Sequence, residues 1–370
     1  MMSNSGHSDY EMRILDERWN GKLLQLNRRS PVRTGKLRIH FDRSPDVFTI
    51  PRLTSYRNRC LGLFRHDRLV GYVMASYQKR YINGCLSEVI YLGNMHVTEK
   101  GGGRVFLKKI ADRFTRTVSG QTGVKYLYAY VASQNRPAMK LVELGQLNSM
   151  VIGQISMAMI MLCKPVGVSG LYSIRPATMS DVDVIVELLR KEYARRFLAP
   201  EMCREVFLQN LARRPAFDIS NYLLAESAGR VVGVCSVWDM TSFKKNRVLT
   251  YGLKLGLARK IYNCTAPLVG NAALPKAGTP FRDVTVAEYA VQDGDPGILK
   301  TMLQYLYRQY RRKGYHFIII GFSEGDPLNE ATAPFIRRKM RSNVILGASD
   351  PACMDRVHRP LQLYADAVQI

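Results

Sequence analysis

Alternation of apolar and polar positions is clearest in "CLGLFRHDRLVGYVMASYQKRYINGCLSEVIYLGNMHV" (60–97), which predicts three successive antiparallel strands. The turns fall at His66-Asp67 and at Ile82-Asn83-Gly84, where Asn-Gly is a strong hairpin signal. A short strand, "GKLRIHF" (35–41), and a short helical piece in "SPDVFTIPRL" precede them. After three glycines, Phe106, Leu107, Ile110 and Phe114 fall at i, i+1, i+4 and i+8, one apolar face of a helix. "VKYLYAYVA" (124–132) then reads as a strand, "NRPAMKLVEL" (135–144) as a helix, and "MVIGQISMAMIMLCK" as a further β segment. The opening, "MMSNSGHSDYEMRILDERWNGK", reads as a loose polar lead-in.

"PVGVSGLYS" (165–173) has the Gly, Pro and Ser of a short connector, and after it the same order recurs. "YSIRPAT" is a strand, and "SDVDVIVELLRKEYARRF" a helix capped by Ser180 with acids in its first turn. "YLLAESAGRVVGVCSVWDM" is a hairpin turning at Ala228-Gly229, and "VTVAEYAV" a strand. "GILKTMLQYLYRQYRRKG" is a helix and "YHFIIIGF" a buried strand. The helical "DPLNEATAPFIRRK" and a last pair of strands near "NVILGA" and "LQLYADAV" complete the set. The expected fold class is therefore α+β: two copies of one plan, residues 1–165 and 166–370, each a mixed, mostly antiparallel sheet flanked by helices. A basic insertion lies around 241–282 of the second copy; its partly amphipathic helix either covers the first domain's cleft or is a solvated face.

A length of 370 residues suits two domains, and 46% hydrophobic with 23% charged residues excludes the disordered class. No apolar run is long enough to span a bilayer, and the start lacks an apolar signal region, so no membrane partner and a cytoplasmic location are expected. Seven cysteines, scattered singly without a CxxC pair, argue for buried thiols rather than disulfides or a zinc site. The net charge of +24 admits an anionic partner such as nucleic acid, but the cations are dispersed, with no RNA-binding signature; a solvated basic surface is the plainer reading.

The glycines of "HVTEKGGGRVFLKKIADRF" (96–114) sit between a strand and a helix. That arrangement holds phosphate: the first-turn amides have no partner inside the helix, the dipole is positive there, and glycine admits close approach. Arg104 and Lys108 add charge. A P-loop is excluded, because no Gly-Lys-Ser/Thr follows; a Rossmann turn is excluded too, because the preceding strands are hairpins.

The order hairpin, strand, glycine loop, helix, strand and "N-x-x-A" helix resembles the GNAT superfamily of acyl-CoA-dependent N-acyltransferases over residues 36–163. The family loop, Arg/Gln-x-x-Gly-x-Gly/Ala, matches here at Lys100, Gly103 and Val105, with lysine for the first position and valine for the last. The resemblance implies an acetyl-CoA or other acyl-CoA co-substrate, no metal, and a pyrophosphate held by Val97, Lys100, Gly101, Gly102, Gly103, Arg104 and Val105, with Asn135 as the family's asparagine after the fifth strand. Asn135 also suits a helix N-cap.

Acyl transfer needs a base for the amine, a polarised thioester and a protonated leaving thiolate. The family commonly places the base carboxylate on the fourth strand; Glu88, the only acid between Asp67 and Glu99, is the candidate, unless it is a solvent-facing strand residue. The family's tyrosine, seven residues beyond the asparagine, is Val142 here. Tyr126, Tyr128 and Tyr130 share one strand face and offer a hydroxyl or simple packing; Tyr91 and His96 are further candidates.

The second copy reads "QDGDPGIL" where the pyrophosphate loop belongs, with Asp293 and Asp295 to repel a diphosphate and Pro296 lacking an amide donor, so it is expected to be degenerate. Ser323, Glu324 and Asp326 form either a polar site or turn and cap residues. The resemblance implies an N-acyltransferase, an N-acetyltransferase in the first instance, that transfers an acetyl or other acyl group from acyl-CoA to a small-molecule or peptide amine. The alternative is a non-catalytic protein of the same fold that binds acyl-CoA or another anion. A homodimer stays open.

Overall fold

The computed structural model describes residues 9–34, 37–99, 101–118, 124–143, 148–167, 170–357 and 362–370. From Tyr10 onward the opening stretch, expected as a loose polar lead-in, forms regular structure; its first eight residues lie outside the described residues. Strand β1 (Tyr10–Leu15) and helix α1 (Asn20–Arg29) bury Leu15, Leu23 and Leu26 against Phe64 and Tyr72. Then come β2 (Val32–Thr34), β3 (Leu37–Asp42), α2 (Thr49–Thr54), β4 (Arg57–Arg65), β5 (Arg68–Ile82), β6 (Cys85–Val97), α3 (Gly102–Val118), β7 (Tyr126–Ala132), α4 (Arg136–Glu143) and β8 (Ser149–Met161). The turns are those the sequence marks, with positive φ at His66, Asp67, Asn83 and Gly84.

The second half holds β9 (Ser173–Pro176), α5 (Val182–Ala194), α6 (Arg204–Arg213), β10 (Tyr222–Ser227), β11 (Arg230–Trp238), β12 (Lys245–Thr250) and α7 (Leu253–Thr265). It continues with β13 (Asp283–Val291), α8 (Pro296–Arg312), β14 (Phe317–Ser323), β15 (Arg337–Ala348) and α9 (Pro351–Asp355). Three expectations are corrected. The helix after β9 is capped by Thr178 and Asp181 in a capping box, not by Ser180. Within "DPLNEATAPFIRRK", only Pro327–Thr332 is helical, as a 3-10 turn, and the chain then enters β15. "LQLYADAV" forms no ladder: residues 362–370 run as an irregular, largely buried segment with a single bridge, Phe197 to Leu363.

Among the described residues, twelve strands form one mixed, mostly antiparallel sheet in the order β1-β4-β5-β6-β7-β15-β8-β14-β13-β11-β10-β9. From either edge the plan is the same: an edge strand, a two-stranded hairpin, a fourth strand, and a fifth strand parallel to it. β6 pairs in parallel with β7, and β13 with β14. The halves then exchange strands. β15 from the end of the chain pairs with β7, β8 pairs with β14, and β8 and β15 pair antiparallel with each other at the centre. The expected boundary at 165/166 thus falls between β8 and β9, while the hydrogen-bonded sheet runs through both halves.

The inner face of α3 supplies Phe106, Ile110 and Phe114 to the core under β4–β6, as its i, i+4, i+8 spacing requires. α8 does the same for the second half with Leu299, Leu303 and Leu306. β12, inside the basic insertion, pairs with β3 in a separate three-stranded sheet, and Arg247 there donates to Asp42 at 2.8 Å.

Candidate functional site

β6 and β7 are joined at only three register positions, Val89 to Tyr126, Ile90 to Leu127 and Tyr91 to Tyr128. Beyond Tyr91 the two strands run on to Val97 and Ala132 without pairing, so a slot opens between them. A register shift between Tyr72 and Met74 of the neighbouring strand, with Asn94 at φ 51, kinks β6 at the same level. The glycine loop closes one arm of this slot. Gly101 has φ 84, a left-handed conformation that favours glycine. Gly102 opens α3 where a Cβ would lie 3.0 Å from Val97 Cγ1, so only a bare backbone fits that closely.

Around the loop, α3 carries no acid in its first turn, and neither Arg104 nor Lys108, both exposed, has an ion-pair partner among the described residues. Gly103, Val105 and Val97 are half-buried beside it, and Lys100 lies outside the described residues. Glu99, the nearest acid, accepts from Tyr10 at 3.1 Å and pairs with Arg65 at 3.4 Å and Arg68 at 3.6 Å, which neutralise it. At the end of the other arm, Asn135 is exposed and caps α4, its Oδ1 accepting from the Ala138 amide at 3.3 Å.

Where the slot closes, a cavity of about 470 Å³ opens between the halves. Its walls are the end of α2, the stretch of β5 beyond β4, α6, β11, β13 and the irregular 362–370 segment. Four carboxylates line it, and three are matched to cations. Asp366 pairs with Arg80 at 2.9 Å, Glu288 with Arg214 at 2.7 Å, and Glu201 with Lys79 at 3.8 Å. Burial opposes ionisation of Glu288, yet the Arg214 guanidinium and the Tyr222 hydroxyl hold its carboxyl below the usual range. Glu88 is the fourth, half-buried and without an ion pair among the described residues. Beside it, burial and then the Glu88 charge push the Tyr56 hydroxyl up to about 12.

The tyrosine stripe on β7 is committed. Tyr126 donates to the Cys353 carbonyl at 3.2 Å, Tyr128 to Gln78 Oε1 at 2.7 Å, and Tyr130 to the Tyr364 carbonyl at 3.2 Å. Tyr91 packs on Tyr128 with ring centroids 5.0 Å apart, and its hydroxyl has no hydrogen-bond partner among the described residues. It faces a gap of about 10 Å³ lined by Met74, Gly93, Asn94 and Gln369, which shares Thr54 with the larger cavity. His96 is used structurally: Asn27 donates to its Nε2 at 3.0 Å, and burial with the nearby Arg43 and His40 charges brings it down to about 4. The sequence signalled Glu88 and Tyr91 but not the Arg80, Arg214, Glu288 and Asp366 that complete the cavity, because their partners lie far off in the chain.

The corresponding strands of the second half, β13 and β14, also separate after three pairs, Asp283 to Phe317 through Thr285 to Ile319. There the helix start is filled by the chain itself. Asp295 Oδ1 accepts from the Gly297 amide at 2.7 Å, Asp295 Oδ2 accepts from Tyr172 at 3.0 Å, and Pro296 stands at the first turn. Ser323 and Asp326 are structural: Ser323 Oγ accepts from the Leu363 amide, and Asp326 pairs with Arg196 at 2.8 Å and caps the turn at Leu328. Glu324 lies on the surface, 3.8 Å from Arg341.

The overall fold is shared with solved structures. N-myristoyltransferase of Saccharomyces cerevisiae, solved with bound myristoyl-CoA, superposes with a TM-score of 0.58 at 13% identity, over 92% of this chain and 78% of that one. The chain has the GNAT fold. A GCN5-related N-acetyltransferase from Anabaena variabilis matches with a TM-score of 0.51 at 9% identity, over 92% of this chain and 73% of that one. Another, from Sphaerobacter thermophilus, gives 0.51 at 15% identity, over 79% and 81%. No protein-family model and no curated protein matches the sequence.

Proposed function

We propose that this chain is an N-acyltransferase that takes its acyl group from an acyl-CoA, acetyl-CoA first among them, and gives it to a small-molecule or peptide amine. The observation that carries this reading is the slot between β6 and β7, ending at a glycine-built helix start with free cations. The residues present fit a diphosphate: the Gly103 amide in the first turn of α3, the Gly102 and Arg104 amides being bonded to the Glu99 and Gly101 carbonyls, with bare backbone at Gly101 and Gly102, and Arg104 and Lys108 alongside. When bound, the thioester supplies an activated acyl carbon and a thiolate leaving group.

The amine enters through the cavity between the halves and forms the new N–C bond as the C–S bond breaks. Glu88 takes its proton, because it is the cavity carboxylate not already held by a cation. Tyr91 lies three residues along β6, about 10 Å away and on the opposite strand face. Its hydroxyl, kept protonated by burial and by the Asp366 charge, is the donor to the leaving thiolate in place of the tyrosine that Val142 replaces. The second half serves as a wall of the acceptor cavity, since its own helix start is filled by Asp295.

A thermal-shift panel with acetyl-CoA, longer acyl-CoAs, CoA, ATP and RNA tests this. A specific ligand at 100 times its dissociation constant adds about 2.7 kcal/mol of stability. Stabilisation by acyl-CoA without turnover of any amine would favour the non-catalytic binding protein; no stabilisation by any CoA would sink the acyltransferase reading, and none by any anion in the panel would sink both.

A further inference from the structure

α7 sits on the protein the wrong way round for a helix in water. Leu253, Leu257 and Ile261 stack at i, i+4 and i+8 and are 95%, 61% and 60% exposed, and no residue of the helix is buried. The 3-10 turn that follows adds Leu268, 84% exposed, and Val269. The polar side is the one tied to the body. Asn263 donates to the Leu274 carbonyl at 2.9 Å and accepts from the Leu274 amide at 2.8 Å, and Arg259 donates to the same carbonyl at 3.2 Å. The segment beyond is pinned through Asn271, which accepts from Arg311 at 2.7 Å and donates to the Cys163 carbonyl at 2.7 Å.

We infer that α7 and the turn after it seat the protein on an anionic phospholipid surface. At 3.6 residues per turn, Lys260 and Lys254 border the leucine stripe on opposite sides, both exposed and neither ion-paired among the described residues. The chain carries no acidic residue between Asp239 and Asp283, so nothing on this segment repels anionic headgroups. A second copy of a chain with net charge +24 would bring like charge to like charge. A nucleic acid would meet leucines where stacking aromatics and phosphate-binding cations are needed. An apolar stripe between lysines fits the boundary between acyl chains and anionic headgroups. This departs from the expectation of no membrane partner, which rests on the lack of a spanning run: no helix among the described residues is long and apolar enough to cross a membrane, and α7 would lie along the surface instead.

The test is co-sedimentation of the full chain with vesicles of equal parts phosphatidylglycerol and phosphatidylcholine, and with pure phosphatidylcholine. The parent is expected to sediment with the first and not the second. Leu253→Ser/Leu257→Ser/Ile261→Ser should stay folded, its changes being on exposed positions, and lose vesicle binding even at low salt. Lys254→Gln and Lys260→Gln should each weaken binding about fivefold. Equal binding by the triple variant would overturn the inference. So would a parent that fails to bind the anionic vesicles, a parent that is a dimer until the triple substitution makes it monomeric, or an RNA affinity that the leucine changes abolish.

Discussion

Two arginines near the same site, both almost wholly buried, should respond to the same substitution with opposite signs. Arg80 is 2% exposed and fully engaged: it donates to Asp366 at 2.9 Å, to Gln78 at 3.0 Å and to the Leu198 carbonyl at 3.3 Å. Arg43 is 5% exposed, and its Nε and Nη1 have no hydrogen-bond partner among the described residues. The acids near Arg43 are taken. Asp42 accepts from Arg247 and from the Ser44 amide, and Asp283 from Asn246. Burial accordingly depresses the Arg43 guanidinium pKa, and Lys244 beside it is brought down to about 7 by burial and by the Arg43 charge.

Each unmet buried donor costs about 1–3 kcal/mol, and replacing a buried charge by an apolar side chain of similar volume is often stabilising by about 1–4 kcal/mol. Arg43→Met should therefore raise stability by an amount in that range. Arg80→Met leaves Asp366 buried without its cation and should lower stability by about 3–5 kcal/mol. Urea unfolding followed by the fluorescence of Trp238, 1% exposed, reads both. If Arg43→Met destabilises as much as Arg80→Met at unchanged slope, the Arg43 guanidinium has a partner in solution and the reasoning from its unmet donors fails.

The other substitutions address the chemistry and the loop. Glu88→Gln should lower kcat by about 10²–10⁴-fold with acyl-CoA affinity intact, and an undiminished rate would remove Glu88 from the role of base. Tyr91→Phe should slow turnover without altering acyl-CoA affinity; unchanged turnover would leave the thiolate to be protonated by solvent. Arg104→Ala should weaken acyl-CoA binding by about 1.5–3 kcal/mol, read by calorimetry, whereas no change would mean that Arg104 faces only water. For Lys244, lowered from 10.5 to about 7 in the fold, the unfolded chain binds the extra proton between those values, so stability should rise with pH across that window. Lys244→Met should flatten that rise in urea midpoints taken at several pH values; an equally steep rise would assign it to another group.

Local features were legible in the sequence because they are decided locally. Asn83-Gly84, His66-Asp67 and Ala228-Gly229 take the positive φ values that tight hairpins demand. The glycine loop, the amphipathic α3 and the isolated Glu88 were visible for the same reason. The exchange of β8 and β15 was not, because a period-2 pattern fixes which face a strand buries and not which strand it pairs with. The alternation in "LQLYADAV" suggests a strand, but beyond one bridge to Phe197 its backbone is met by side chains: Lys244 donates to the Ala367 and Val368 carbonyls, Tyr130 to the Tyr364 carbonyl, and Ser323 Oγ accepts from the Leu363 amide. The cavity's ion pairs were hidden by distance, since Arg80 meets Asp366 across 286 residues of chain. The order from Tyr10 to Arg29 is not legible in the sequence because Leu15, Leu23 and Leu26 are too few to show a period, yet all three are buried in one cluster with Phe64 and Tyr72.

The proposed acyl-CoA slot is tested most directly by calorimetric titration of acetyl-CoA into the full chain and into Gly103→Glu, with urea midpoints for each. The parent should bind at one site per chain, and Gly103→Glu, which sets a negative side chain beside the α3 amides, should show no binding at an unchanged midpoint. Binding by Gly103→Glu equal to the parent's, or two equivalent sites per chain, would contradict the assignment of that slot to acyl-CoA.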